Sequence, residues 1–380
     1  MDSKVETGWT LDPVDPATRS RIDIDLLDAL EKGQRSDLFD SLAAPEDVDA
    51  SDASALRAPC DAGLRIRIHA RSDSRESDSL RSDSLRSDRA GDEPIVWLRL
   101  RHSPRDSVDA PVLAIELHPG AHCVLVETHD AESRSSIVQH ARIEIRLAHG
   151  ATLTHLRIMT PRADDRLLHR VHARLERGAR YHQALIASGC GEHEQHTLLE
   201  LQGEQASARS AAVLFAAGSK LEHHLKVRHS AARTRSAVDS LAVVSQAARV
   251  VVDVHGRIDP GSADAEVHQR LSALPSNEAA SGKSRVVLRP HLEILHDQVE
   301  ARHGATWGKL PEDALFYASQ RGLAPHAARA MIIEGMANAT LARSFDPHER
   351  DLCGIGALLA AGTDRHLRAT SDILAGSDHG

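Results

Sequence analysis

From about residue 94 to residue 303 the chain lays down one short strand pattern after another, with hardly any helix among them. "IVWLRLR", "VLAIELH", "CVLVETH", "ARIEIRL", "LTHLRIM", "LEHHLKVRH", "VVVDVHGRI" and "VVLRPHLEIL" place apolar residues on alternate positions, as in Ile143, Ile145 and Leu147. Successive side chains of a strand point to opposite faces, so this alternation predicts half-buried strands. In one of them Leu221, His223, Leu225 and Val227 share a face, with the histidine as the exception. Small-residue turns punctuate the series: "PGAH" at 119, "HGAT" at 149, "RGAR" at 177 and "AGSK" at 217. Their spacing is near multiples of a coil of roughly 20 residues or somewhat more. Two architectures fit, an antiparallel sandwich or jelly roll and a β-helix whose coils stack. The recurrent order of strand, Gly turn and strand, with aliphatic inward residues, favours the β-helix.

The flanks read differently. "SRIDIDLLDALEKGQ" spaces Ile22, Leu26, Leu27 and Leu30 at helical intervals and predicts a short amphipathic helix ending near Gly33. "LRIRIHA" at 64–70 alternates strictly and predicts a strand. Residues 71–91 repeat a Ser-Asp-Ser-Leu-Arg unit with too little apolar content to offset the entropy of ordering it, and read as a disordered insertion. As an Arg/Ser patch for an anionic partner the segment is weak, because its acidic residues cancel its arginines. After 303 the chain turns helical. Pro311 stands at a helix start, Glu312 and Asp313 follow in its first turn, and Gly322 makes a stop. Pro325 opens a second helix with Ala328, Met331, Ile332 and Met336 at helical spacing, and one or two short helices follow. These helices are expected to cap the open end of the β-helix, whose last coil otherwise leaves apolar surface and unpaired backbone in water. The domain reading is an N-terminal helical region at 1–61, a β-helix core at 62–308 and a C-terminal helical region at 309–380.

Composition narrows the function classes. A length of 380 residues suffices for a sizeable core, and a net charge of -9 with both signs interspersed argues against nucleic acid as a partner. Aromatic residues are 2% of the chain, too few for the stacking platforms of sugar or single-strand binding sites. No apolar run approaches the roughly 20 residues of a membrane span, and "MDSKVETGWTLDP" lacks the basic and apolar regions of a signal peptide, so no membrane association and a cytoplasmic location are expected. Cys60, Cys123, Cys190 and Cys353 lie far apart with no CxxC, which encodes neither a disulfide framework nor a self-contained zinc site.

One stretch carries a specific pattern. "RPHLEILHDQVEARHGATWGKLPEDALFYASQRGL", residues 289–323, places Leu292, Glu293, Ile294, His303, Gly304, Ala305, Thr306, Gly308, Leu315, Phe316, Tyr317, Arg321 and Gly322 in the order and register of a known signature. It resembles the C-terminal motif of the SufB/SufD family of iron-sulfur cluster assembly proteins. HGAT, without an acidic residue after the histidine, resembles the SufD branch. The resemblance implies a mainly β protein with a right-handed parallel β-helix core flanked by N-terminal and C-terminal helical segments. It further implies a non-catalytic scaffold subunit that pairs with a SufB-like subunit, or with itself when alone, and docks a SufC-like ABC-type ATPase through Leu315, Phe316, Tyr317, Arg321 and Gly322. His303 would lie at the scaffold interface as a candidate ligand of a transient iron-sulfur cluster, with no cofactor held stably by this chain alone. Imidazole is a minority ligand of such clusters, beside the usual thiolates. The family often has a cysteine two residues before this histidine; here the position is Ala301, so a sulfur ligand would come from the partner. Cys190 and Cys353 receive no role.

Each signal has a plainer reading. His303 could be a solvated or strand-packing histidine. The pairs His169/His172, His193/His196 and His223/His224 show no carboxylate or thiol at metal spacing on a helix and read as surface-strand histidines. Gly304 and Gly308 lack the Lys-Ser/Thr order of a phosphate loop and read as tight turns. Leu315, Phe316 and Tyr317 are adjacent, so a helix turns at least one of them outward, toward a partner or against the β-helix. A paralogue that keeps the docking helix without cluster chemistry is a second function reading, supported by Ala301. A polysaccharide-active β-helix enzyme is a third, opposed by the lack of clustered acids and aromatic subsites.

Overall fold

The computed structural model describes residues 8–27, 63–70, 95–104, 107–129, 136–189, 191–276, 284–345 and 347–376. The expected insertion at 71–91 lies outside them, as do Cys60, Cys190 and the second half of the predicted N-terminal helix.

The chain is mainly β and winds into a parallel β-solenoid, with a few helices toward its termini. One sheet, A, contains β1 (Trp9–Leu11), β4 (Val96–His102), β7 (His122–His129), β9 (Thr152–Met159), β11 (Arg180–Gly189), β13 (Ser207–Ala217), β15 (Arg235–Ser245), β17 (Ala265–Pro275) and β19 (Val299–Trp307), in that spatial order. Sheet B runs from β2 (Ile22–Leu26) and β3 (Gly63–Ile68) through β6 (Val112–Leu117), β8 (Val138–Leu147), β10 (Arg166–Leu175), β12 (Glu192–Leu201), β14 (Lys220–His229) and β16 (Arg249–Ile258) to β18 (Arg285–Ile294). A two-residue strand, β5 (Val108–Asp109), pairs beside β8. The chain alternates between the sheets, and from β6 onward it adds one strand to each per coil. Arg166, Glu192, Lys220 and Arg249 stand in direct register on successive strands, which makes the coil about 28 residues, longer than the expected coil of roughly 20.

The corners explain that discrepancy. Gly120, Gly150 and Gly178 occupy one column of corners, from sheet B to sheet A, all with φ near +70°. Each donates its N–H to the next coil, to the carbonyls of His149, Arg177 and Glu204 at 2.9–3.0 Å. Gly218 belongs to the opposite column, between β13 and β14, so counting it with the others distorts the period. Farther along, Gln205, Arg233 and Asp264 take over the first column's left-handed conformation and make the same coil-to-coil bonds. The glycine signal fades there while the geometry continues.

Inward residues of both sheets form one continuous aliphatic core, from Leu64 and Leu98 through Leu153, Leu185, Leu214 and Val252 to Leu271. Sheet A is apolar on its outer face too: Val124, Leu156, Ile186, Val213, Phe215, Leu241 and Val243 are buried beneath helices. A strand such as "SARSAAVLFAA", buried along almost its whole length, is the sequence of a parallel strand covered on both sides. The helices are α2 (Glu312–Gln320), α3 (Pro325–Leu341), α4 (Pro347–Leu352) and α5 (Ile355–Gly376), with α1 (Pro16–Arg19) near the N-terminus. α3 packs on β13 and β15 and α5 on β11 and β13. Gly362 lets α5 settle on Phe215, since a Cβ there would stand 3.0 Å from the ring. Polar ties hold the layer in place: Thr154 donates to Glu349 at 2.6 Å, and Arg365 donates to the Ser188 hydroxyl at 2.5 Å. The expectation that these helices cap the solenoid's end is therefore corrected. They plate the flank of sheet A, where the apolar outer face demands cover.

The predicted helix at Ile22 is also corrected. Ile22–Leu26 is a strand, antiparallel to β3 with Ile22 opposite Ile68. "IDIDL" satisfies a period of two as well as a helical face, and the free edge of β3 decides in favour of the strand. Asp25 meets Arg67 at 2.7 Å and Asp23 meets His69 at 2.9 Å across that pair.

Candidate functional site

β18 and β19 form the last coil, and among the described residues no strand follows either of them. Parallel register puts His303 beside Gln269 and Ala301 beside Val267, on the face that earlier coils turn inward. With no further coil, those positions lie open: His303 is exposed, and Ala301, Val299 and Leu292 are only partly covered. Ile294, Leu295 and Trp307 surround them with exposed apolar surface. Glu300 forms a local ion pair with Arg302 at 2.8 Å, but His303 sits in a largely uncharged setting of Ala301, Gly304, Ala305 and Thr306. The sheet edge beyond it presents unpaired backbone donors and acceptors.

The two glycines next to His303 differ from expectation. Gly304 lies within β19, and neither Gly304 nor Gly308 has a positive φ, so the tight-turn reading fails for Gly304. Gly308 follows the strand and donates to the carbonyl of Ala273 at 2.9 Å. A Cβ at either would meet nothing, so both keep the surface beside His303 bare.

The helical residues fall nearby in sequence and on another face. Leu315 packs against the apolar layer over sheet A, while Phe316 and Tyr317 are 67% and 61% exposed. Helical geometry forces this split on three adjacent large residues. Arg321 bonds the Tyr317 hydroxyl at 2.8 Å and stacks over its ring, which holds that aromatic in place. Gly322 ends α2 with φ +80°. Leu323 and Met331 add further exposed apolar groups, so Met331 lies off the buried face of α3, which Ala328, Ile333, Ala337 and Leu341 form.

Neither described cysteine offers a ready thiolate. Cys123 is fully buried, and burial pushes its thiol far up; Cys353 is buried among the helices, where burial, then Glu349, push it up to about 12. Such thiols are inert packing groups. The open end thus holds imidazole without sulfur among the described residues.

What sequence reading missed is the solenoid's interior. Glu127 on β7 is fully buried and receives Arg157 at 3.1 and 3.2 Å, His129 at 2.5 Å and His155 at 2.9 Å. Burial pushes its carboxyl up, but Arg157 and the two histidines hold it well below the usual range. Arg157 also donates to Gln195 at 2.6 Å and to His169 Nδ1 at 2.9 Å, and His169 Nε2 donates to Gln139 at 2.8 Å. Gln139 donates on to Asp109 at 2.9 Å. The three histidine pairs read as surface residues are each divided between faces. His169, His193 and His223 are buried, whereas His172, His196 and His224 point outward. Residues one or three apart on a strand must face opposite ways, so parity alone carried that signal. Closed off from solvent, the Glu127 network can hold charge but cannot receive a substrate.

The family model described as "SUF system FeS cluster assembly, SufBD core domain" matches residues 100–336, a span running from β4 to within α3. The chain is 28% identical over 226 residues to an iron-sulfur cluster assembly SufBD family protein of Synechocystis, which covers 52% of this chain and 43% of that protein. It is 29% identical over 136 residues to a SufBD family protein of Mycobacterium leprae, covering 36% of this chain and 15% of that one. The chain thus spans less than half the length of either relative in these alignments.

Proposed function

The chain belongs to the SufBD core family of the SUF iron-sulfur assembly system, and from that premise we propose that it works as a SufD-like scaffold subunit. It joins a SufB-like subunit at its open last coil and carries a SufC-like ATPase on α2 and α3. The observation that supports this most is the pairing of an unfinished solenoid end with flank-bound helices. Ile294, Leu295 and Trp307 stay exposed because the C-terminal helices cover sheet A and leave β19 bare. A second β-solenoid would continue both sheets across that end by main-chain hydrogen bonding and bury the apolar rim. Phe316 and Tyr317, held outward on α2, suit a separate docking contact.

In this reading the nascent cluster is cargo, and the chain's own part is to orient imidazole toward it. A neutral imidazole binds iron more loosely than a thiolate does, which fits a site that passes its product on. Sulfur ligands come from the partner, since Ala301 stands where a thiolate would help and Cys123 and Cys353 are buried. Those same facts favour a second reading, a structural paralogue that pairs and docks without touching the cluster.

Co-expression with SufB-like and SufC-like subunits tests both. Phe316→Asp or Tyr317→Asp is expected to release the ATPase and keep the scaffold pair. Trp307→Asp is expected to break the pair. Retention of both partners by all three variants ends the proposal, and unchanged cluster assembly in His303→Ala selects the structural paralogue.

A further inference from the structure

Sheet B turns its outer face away from the helices on sheet A and carries ladders of charged and histidine side chains. Two rungs stand out. His196 on β12 and His224 on β14 are direct neighbours in the parallel register, as are Glu194 and Glu222 two residues before them. The two imidazoles stack, with ring centres 4.8 Å apart and planes 16° from parallel. Each turns its Nε2 to its own strand's carboxylate, Glu194 at 2.5 Å and Glu222 at 3.3 Å. Ligand atoms of Glu194, His196 and His224 all lie within 4.8 Å of one another.

We propose that Glu194, His196 and His224 form a surface site for a divalent transition-metal cation of the zinc class. Two imidazoles and a carboxylate suit such ions, whereas calcium and magnesium call for sets made wholly of oxygen. With bonds of about 2.0–2.1 Å, tetrahedral ligands stand about 3.4 Å apart, so small side-chain rotations close the set and leave one position for water. Placement on two hydrogen-bonded strands fixes the Cα positions in advance.

The surroundings set the terms. Lys220 pairs with Glu222 at 3.2 Å, which occupies that carboxylate and leaves Glu194 as the acidic ligand. Arg170 neighbours His196 in register and opposes a cation, and Asp253 neighbours His224 and favours one. Beside Glu194 lies an open pocket of about 270 Å³ lined also by His140, Glu192 and Lys220, which gives a hydrated ion room to enter. The site sits two strands in from β18, so it does not depend on the open end or its partner.

The full chain, stripped with chelator and titrated with Zn²⁺ alone, tests this by calorimetry, with Co²⁺ as the spectroscopic probe. One equivalent is expected to bind with a Kd of micromolar order, and bound Co²⁺ is expected to show the visible bands of low coordination number. His196→Ala, His224→Ala and Glu194→Gln are each expected to weaken binding at least about tenfold. His255→Ala with His291→Ala, a neighbouring-strand pair on the same face, should change nothing. Wild-type affinity in the His196→Ala/His224→Ala double variant overturns the site, as does equal loss in the His255/His291 control or no binding tighter than about 1 mM. Metal-free thermal midpoints check the fold, and His224→Gln replaces any alanine variant whose midpoint falls.

Discussion

The two ends of the solenoid are built from the same kind of coil and finished in opposite ways. At the N-terminal end β1 and β2 run antiparallel to β4 and β3 and close both sheets. Trp9 is 1% exposed there, stacked edge-on against His102 and His129. At the C-terminal end Trp307 is 54% exposed on a strand that, among the described residues, is paired on one side only. An end meant to stand in water is sealed by reversed strands and a buried aromatic. The unsealed end is the one that carries the family motif, and so the contrast separates residues that hold the fold from residues that, on the proposed reading, would meet a partner.

The largest effects should therefore cluster near the sealed end. Arg157→Met removes the one cation bonded to Glu127 by two nitrogens and leaves a carboxylate fully enclosed, which should cost about 3–5 kcal/mol in urea unfolding. Loss below about 1 kcal/mol would mean that the network is not the clamp its geometry indicates. Trp9→Ala comes next, at about 3 kcal/mol for a buried indole, while Trp307→Ala should stay within about 0.5 kcal/mol. Similar losses at the two tryptophans would erase the distinction between the ends.

Acid sharpens the same contrast, because the inner histidines lie in the coils between them. Burial, with smaller contributions from neighbouring charges, pushes His193 and His223 down to about 3. Above pH 6.5 both are neutral folded or unfolded, and their burial carries no protonation penalty. As pH falls through 6.5 the unfolded chain takes up protons that the folded chain refuses until near pH 3, so stability drops across that window. For one such histidine the loss between pH 7 and pH 5 is about 2 kcal/mol. His223→Leu removes a ring whose nitrogens have no partner among the described residues, and the variant should lose about 2 kcal/mol less than wild type over that interval. An unchanged pH slope would show His223 reached by water.

How far the sequence reveals these ends depends on the kind of signal each leaves. Alternating strands and inward aliphatics are local patterns, and they predict the solenoid correctly. The period was blurred because Gly218 sits in a different corner column from Gly120, Gly150 and Gly178. Ile22–Leu26 was misread because five residues fit both periods and only the edge of β3 decides between them. The motif around His303 points to the open end, but no local pattern shows that the helices leave it bare; that follows from the apolar outer face of sheet A, spread over six strands. Least legible is the Glu127 network, whose members come from six strands, so that each looks alone like a stray polar residue. The divided histidine pairs were readable by parity, which a surface assignment ignored.

The smallest effect on folding is expected at His303, and it is the most informative about the open end. The side chain is exposed, so His303→Ala should leave the unfolding midpoint unchanged within about 0.5 kcal/mol. If imidazole meets the cargo, cluster formation in the assembled complex should fall while pairing with the SufB-like subunit holds. Ala301→Cys offers the converse: a thiolate on the same face, one pair of residues away, should strengthen cluster retention and slow its release, as sulfur binds iron more tightly than nitrogen does. Loss of pairing in His303→Ala would instead make the histidine part of the seal between two solenoids, and the contrast would then lie between a closed end and one closed by another chain.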